Sequence, residues 1–145
     1  MNTRTNAIER QDAPARRMAS IFSTVEALYA TGYELLAQER IANAASAFRT
    51  MLRIAPRDER AWLGVGECHE RADQLRIAIE LYGAGSVAAG ENGHPSVRCL
   101  LARARLLFKL GCDVSEAIQR AHVSALHSGR ADLMALVGEE ERRLS

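Results

Sequence analysis

The sequence is poor in aromatic residues, at 5%, and holds only three prolines and three cysteines. Few aromatics beside abundant Ala, Leu, Arg and Glu argue against a strand-rich fold and for helices. Cys68, Cys99 and Cys112 make no paired framework, which suits a reducing compartment. The formal charge of +1 gives no strong field for nucleic acid or acidic lipid, so neither is expected as a partner. No apolar run approaches the ~20 residues of a membrane span, and membrane insertion is not expected. The N-terminal residues are polar, with no apolar signal segment, so the expected location is the cytoplasm. What remains is 48% hydrophobic over 145 residues, enough for one domain with a real core.

Two stretches repeat one pattern at a spacing of 34 residues: Gly32, Ala44 and Phe48 recur as Gly66, Ala78 and Tyr82. A period of 34 built from small and aromatic residues is the tetratricopeptide (TPR) signature, a helix–turn–helix unit that stacks on copies of itself. The expected fold is all-α: three tandem TPR repeats with a leading N-terminal helix and a C-terminal capping helix.

Residues 1–15 read as a flexible arm ending at Pro14, and residues 16–145 as a single TPR domain. From Met18 an apolar stripe runs through Ile21, Phe22, Val25, Leu28, Tyr29 and Gly32 at helical spacing. Repeat one spans about 25–57 and stops at Pro56. Repeat two spans about 58–90, with Asp58 as its cap and Gly90 as its stop. A loop, Glu91-Asn92-Gly93-His94-Pro95, precedes a less regular repeat three at about 95–128. There one inserted residue puts Ala117 at the place of Ala44 and Ala78. A helix over 130–144 caps the stack, with Leu133, Leu136 and Val137 facing in and Glu139 to Arg143 facing water.

No converging catalytic groups stand out, and an enzyme is not expected. His94, His122 and His127 with Cys99 and Cys112 match no zinc spacing, so no metal and no cofactor are expected. The informative surface is the concave one, lined by the first helix of each repeat. Its positions lie one residue after the small residue, and three or four residues to either side of that. They are Tyr29, Tyr33, Leu36 and Ala37; Leu63, Glu67, Glu70 and Arg71; and Leu101, Arg105, Phe108 and Lys109. Tyr29, Tyr33, Leu36, Leu63, Leu101 and Phe108 make an apolar strip that asks for an extended apolar segment. A groove that clamps a terminal carboxylate would need Lys and Asn where Tyr29, Tyr33 and Ala37 stand.

Three stretches resemble the class II chaperones of bacterial type III secretion systems. They are Leu28-Tyr29-Ala30-Thr31-Gly32-Tyr33-Glu34-Leu35, Ala61-Trp62-Leu63-Gly64-Val65-Gly66-Glu67-Cys68 and Ala78-Ile79-Glu80-Leu81-Tyr82-Gly83-Ala84. The resemblance implies a non-catalytic chaperone of the bacterial cytoplasm. Such a protein clasps an extended segment of hydrophobic translocator proteins in the groove and keeps them soluble for export. It also implies a homodimer through the leading helix, here Met18 to Leu28, with Met18, Ile21, Phe22 and Val25 as the contact stripe. A fold-back onto repeat one would hide the same stripe. A second reading is a TPR adaptor or regulatory scaffold that binds a folded secretion or transcription partner.

Overall fold

The alternation of small and large apolar residues at helical spacing dictates paired helices, and paired helices are what the chain forms. The structure, a computed structural model, describes the backbone of residues 3–145 and the side chains of residues 13–145. The helices are α1 (Thr3–Ala37), α2 (Ile41–Ile54), α3 (Glu59–Arg71), α4 (Leu75–Ala88), α5 (Val97–Lys109), α6 (Ser115–Ser128) and α7 (Ala131–Arg143). Among the described residues the only strand-like contact is an isolated bridge between Glu91 and His94. Each helix packs on the next, α1 and α5 also touch α3, and α7 closes the stack against α5 and α6. No described helix is long and apolar enough to cross a membrane.

The leading helix and the first helix of repeat one are one continuous element, α1. It takes in residues 3–15, expected as an arm, and Pro14 lies inside it. Residues 1 and 2 of that arm lie outside the described residues.

The core depends on two aromatic rings meeting glycines. A Cβ on Gly32 or Gly64 would stand 2.5 or 2.4 Å from the Phe48 ring, and one on Gly66 would stand 2.2 Å from Tyr82. Phe48 of α2 therefore fills the space between α1 and α3 because neither backbone carries a side chain there. Trp62 packs on Gly85 in the same manner, and its indole N–H donates to the Pro56 carbonyl at 2.8 Å. Cys68 and Cys99 are buried and free, and burial pushes both thiols up to about 11.

The turn inside each pair is the same device used three times. Arg40, Gln74 and Cys112 donate their backbone N–H to the carbonyls of Leu35, His69 and Leu107 at 2.9, 2.8 and 3.0 Å. The residue before each donor is left-handed: Glu39 at φ 59°, Asp73 at φ 59° and Gly111 at φ 78°. This is a Schellman turn, and only the third copy has the glycine that such a turn favours. Glu39→Gly is expected to raise stability by roughly 1 kcal/mol and Asp73→Gly by less, since Asp tolerates the left-handed region. Thermal melts check this; an unchanged or lower Tm for Glu39→Gly would contradict it.

The third repeat departs from expectation at this turn. α2 and α4 each begin two residues after the left-handed residue, whereas α6 begins four after it. The turn before α6 is thus two residues longer, but the buried face of α6 keeps the expected one-residue shift, with Ala121, Ser124 and Ala125 buried one residue past the places of Tyr82, Gly85 and Ser86. Ala117, at the place of Ala44 and Ala78, is half-buried, and Ile118 is buried at the place of Ala45. Ala121, fully buried, falls where Phe48 and Tyr82 stand, and His122 beside it reaches out to Glu141 at 3.0 Å.

Candidate functional site

Contacts at both ends of the first helices set them side by side and parallel. Glu26 meets Arg60 at 2.7 Å, and Arg71 donates to the Leu36 carbonyl at 3.2 Å. One repeat on, Glu59 meets Arg98 at 3.2 Å and Glu70 meets Arg105 at 3.5 Å. Such part-exposed pairs add little stability each, on the order of 0–1 kcal/mol, but they fix the register of neighbouring repeats.

The faces so aligned enclose a concavity of about 620 Å³. α1 contributes Tyr33; α3 contributes Leu63, Glu67, Glu70 and Arg71; α5 contributes Arg98, Leu101, Ala102, Arg105 and Lys109. Tyr82 of α4 reaches in from behind, and Leu136 and Glu140 of α7 form the far wall. Tyr33, Leu63, Leu101 and Leu136 supply apolar surface among charged neighbours. The Tyr33 ring rests edge-on against Phe48, centroids 5.2 Å apart, and burial together with the Glu67 charge pushes its phenol up to about 12. Burial, then Glu70, raises the Tyr82 phenol further, and its hydroxyl donates to the Glu70 carboxylate. Both tyrosines therefore act as neutral donors with apolar rings at any physiological pH.

Of the residues expected to line the groove, Tyr33, Leu63, Glu67, Leu101 and Arg105 come together here, with Glu70, Arg71 and Lys109. Four do not line it. Leu36 is 1% exposed within the core around Phe48, because a position four after Gly32 shares the glycine's inward face. Ala37 is exposed at the end of α1, outside the concavity. Tyr29 stacks edge-on against Tyr33 at 5.1 Å and lies under the Arg60 guanidinium at 4.7 Å, in the joint between α1 and α3. Phe108, 45% exposed, borders a different depression with Cys112, Ile118 and Leu144.

The far wall was not anticipated. Glu140, expected to face water, is 8% exposed and accepts from Arg143 at 3.2 Å. Its spacing was informative: it lies seven after Leu133 and three after Val137, both buried. Arg98 and the Tyr82 hydroxyl were missed for another reason, since their reach depends on how repeats stack. On the leading part of α1, Met18, Ile21 and Phe22 are exposed, at 68%, 46% and 66%, whereas Val25 belongs to the core at 6%. Val25 is seven before Gly32, on the inward face, and so leaves the expected contact stripe.

Among the described residues no three His, Cys, Asp or Glu side chains gather as metal ligands. His94 and His127 stack face to face with centroids 3.9 Å apart, joining the loop after α4 to the end of α6.

No protein-family model matches the chain. A curated relative, the cell division cycle protein 27 homolog of Caenorhabditis elegans, is 34% identical over 70 residues, 48% of this chain. That match spans 8% of the relative's own length. The fold is similar to that of the Yersinia enterocolitica type III secretion translocator chaperone SycD, with a TM-score of 0.68 and 22% identity over 84% of this chain and 88% of that one. It is similar to PcrH from Pseudomonas aeruginosa, with a TM-score of 0.65 and 21% identity over 84% and 92% of the two chains. It is also similar to PcrH in complex with the chaperone binding region of PopD, with a TM-score of 0.65 and 22% identity over 84% and 89%. These likenesses establish the fold, an all-α TPR-like stack.

Proposed function

We propose that this chain is a non-catalytic chaperone of a bacterial type III secretion system, acting in the cytoplasm. It binds an extended hydrophobic segment of translocator proteins in the concave groove and keeps them soluble and export-competent. The observation that carries this reading is the concavity itself, where half-buried Tyr33, Leu63 and Leu136 line one cavity around the more deeply set Leu101. The PcrH–PopD complex, whose fold this chain shares, supports translocators as the client class.

An extended segment loses backbone freedom when it docks. Burying a few apolar anchors at ~1.5–3 kcal/mol each offsets that loss and leaves an affinity of micromolar order. Release then needs no ATPase domain. Residues 16–145 act as one unit in this reading. Co-expression with the hydrophobic translocators of the same secretion locus tests it. The translocator is expected to stay in the soluble fraction and to co-purify with this chain. Precipitation of the translocator, or co-purification with a folded partner alone, would overturn the reading.

The same proposal places a homodimer contact on Met18, Ile21 and Phe22. An exposed apolar stripe on one helix is satisfied by a second copy of itself. SycD, similar in fold, is described as forming an alternative dimer. Phe22→Glu is expected to convert a dimer to monomer in analytical ultracentrifugation with unchanged helical content. An unchanged sedimentation coefficient would contradict the assignment.

A further inference from the structure

The charges in the groove do not balance locally. Its three carboxylates are all engaged: Glu67 by Arg71 at 3.0 Å, Glu70 by the Tyr82 hydroxyl, and Glu140 by Arg143 at 3.2 Å. The cations of α5 are engaged unequally. Arg98, at the start of the helix, meets Glu59 at 3.2 Å and Asp132 at 3.7 Å. Arg105 has one long contact of 3.5 Å, to a Glu70 oxygen that already accepts from Tyr82. Lys109 has no partner among the described residues.

Arg98, Leu101, Arg105 and Lys109 stand three or four residues apart, so one face of α5 presents them in a row. The uncommitted positive charge thus lies at one end of that row, beyond Leu101. The end of α5 favours a cation there through its carbonyls, but that stabilises Lys109 without neutralising it.

We infer that the groove selects extended segments in which the apolar anchors are followed, toward the ends of α3 and α5, by an acidic side chain. The carboxylate docks between Arg105 and Lys109. This rests on the peptide-groove reading above and adds a charge rule to it. Arg105 reaches the incoming carboxylate by giving up only its weak contact, because Tyr82 still satisfies Glu70. Both partners stay partly wetted, so the pair acts mainly through selection and salt dependence.

A displayed library of random 12-residue peptides separates the possibilities when selected on the wild type and on Lys109→Glu and Arg105→Glu/Lys109→Glu variants, each checked for helical content by circular dichroism. With the wild type, enriched peptides are expected to pair Leu, Ile, Val or Phe with Asp or Glu to one side. Selection on either variant is expected to replace that acid by Lys or Arg. In a selected peptide, changing the acid to Lys is expected to weaken binding to the wild type about tenfold and to strengthen binding to Lys109→Glu. Apolar enrichment without charge bias, or a bias that the variants do not invert, overturns the charge rule and leaves the groove reading standing. No enrichment of apolar peptides on the wild type overturns both. Lys109 is exposed at a helix end, so Lys109→Glu alone still decides the matter if the double variant fails to fold.

Discussion

Phe48→Ala is expected to cost about 3–5 kcal/mol, a large share of the ~5–15 kcal/mol that holds a domain of this kind together. The ring is fully buried and is the spacer between two helices, since Gly32 and Gly64 both meet it where a side chain would otherwise stand. Removing it leaves a cavity lined on two sides by bare backbone, which cannot collapse without moving α1 against α3. The reciprocal change makes the coupling measurable. Gly64→Ala puts a methyl group 2.4 Å from the ring, and Phe48 cannot retreat because Gly32 backs it. That overpacking is expected to cost about 1–3 kcal/mol in the wild type and much less in the Phe48→Ala background. Urea denaturation of the four proteins in the cycle measures both terms. Additive losses would show that ring and glycines do not share one space.

The second large effect concerns binding. Leu63→Ala and Tyr33→Ala are each expected to weaken a translocator segment about tenfold or more, and together about a hundredfold, as each removes ~1.5–3 kcal/mol of apolar contact. Leu63 is half-buried on the concave side and packs against the cluster of Ala78, Tyr82, Ala102 and Leu106, so its variant needs a matched melt. Tyr33 also touches Phe48, and its variant needs a matched melt. Tyr29→Ala serves as the contrast. It loosens the Arg60 joint and lowers stability, but it changes binding little, because its ring lies outside the concavity. Isothermal titration calorimetry distinguishes the three. Equal losses for Tyr29 and Tyr33 would move the groove toward the start of α1.

Much of this was legible in the sequence because small and aromatic residues report directly on helix packing. Gly32, Gly66, Ala44, Ala78, Phe48 and Tyr82 gave the repeat, and their neighbours Tyr33, Leu63, Glu67 and Leu101 fell on the concave side. Two of the misplacements, Leu36 and Phe108, share one cause. Leu36 satisfies two periodicities at once, three after Tyr33 and four after Gly32, and burial goes to the stripe that contains the glycine. Phe108 and Lys109 posed the same ambiguity, and the charged residue, not the aromatic one, turned to the groove. The later start of α6 left no mark in composition, whereas buried Ala121, at the place of Phe48 and Tyr82, follows the one-residue shift. The closing wall of α7 was beyond a repeat-by-repeat reading, since Leu136 and Glu140 belong to no repeat and reach the site only through the stacking of α7 on α5.

Site-specific photo-crosslinking tests the central claim, an apolar client held on the concave face, most directly. Benzoylphenylalanine placed at Leu63, or in a second variant at Lys109, faces the concavity; placed at Arg76 it is exposed on α4, away from the lining residues. With a hydrophobic translocator co-expressed, crosslinks are expected from positions 63 and 109 and to be absent from position 76. Crosslinking from position 76 with none from 63 would contradict the account.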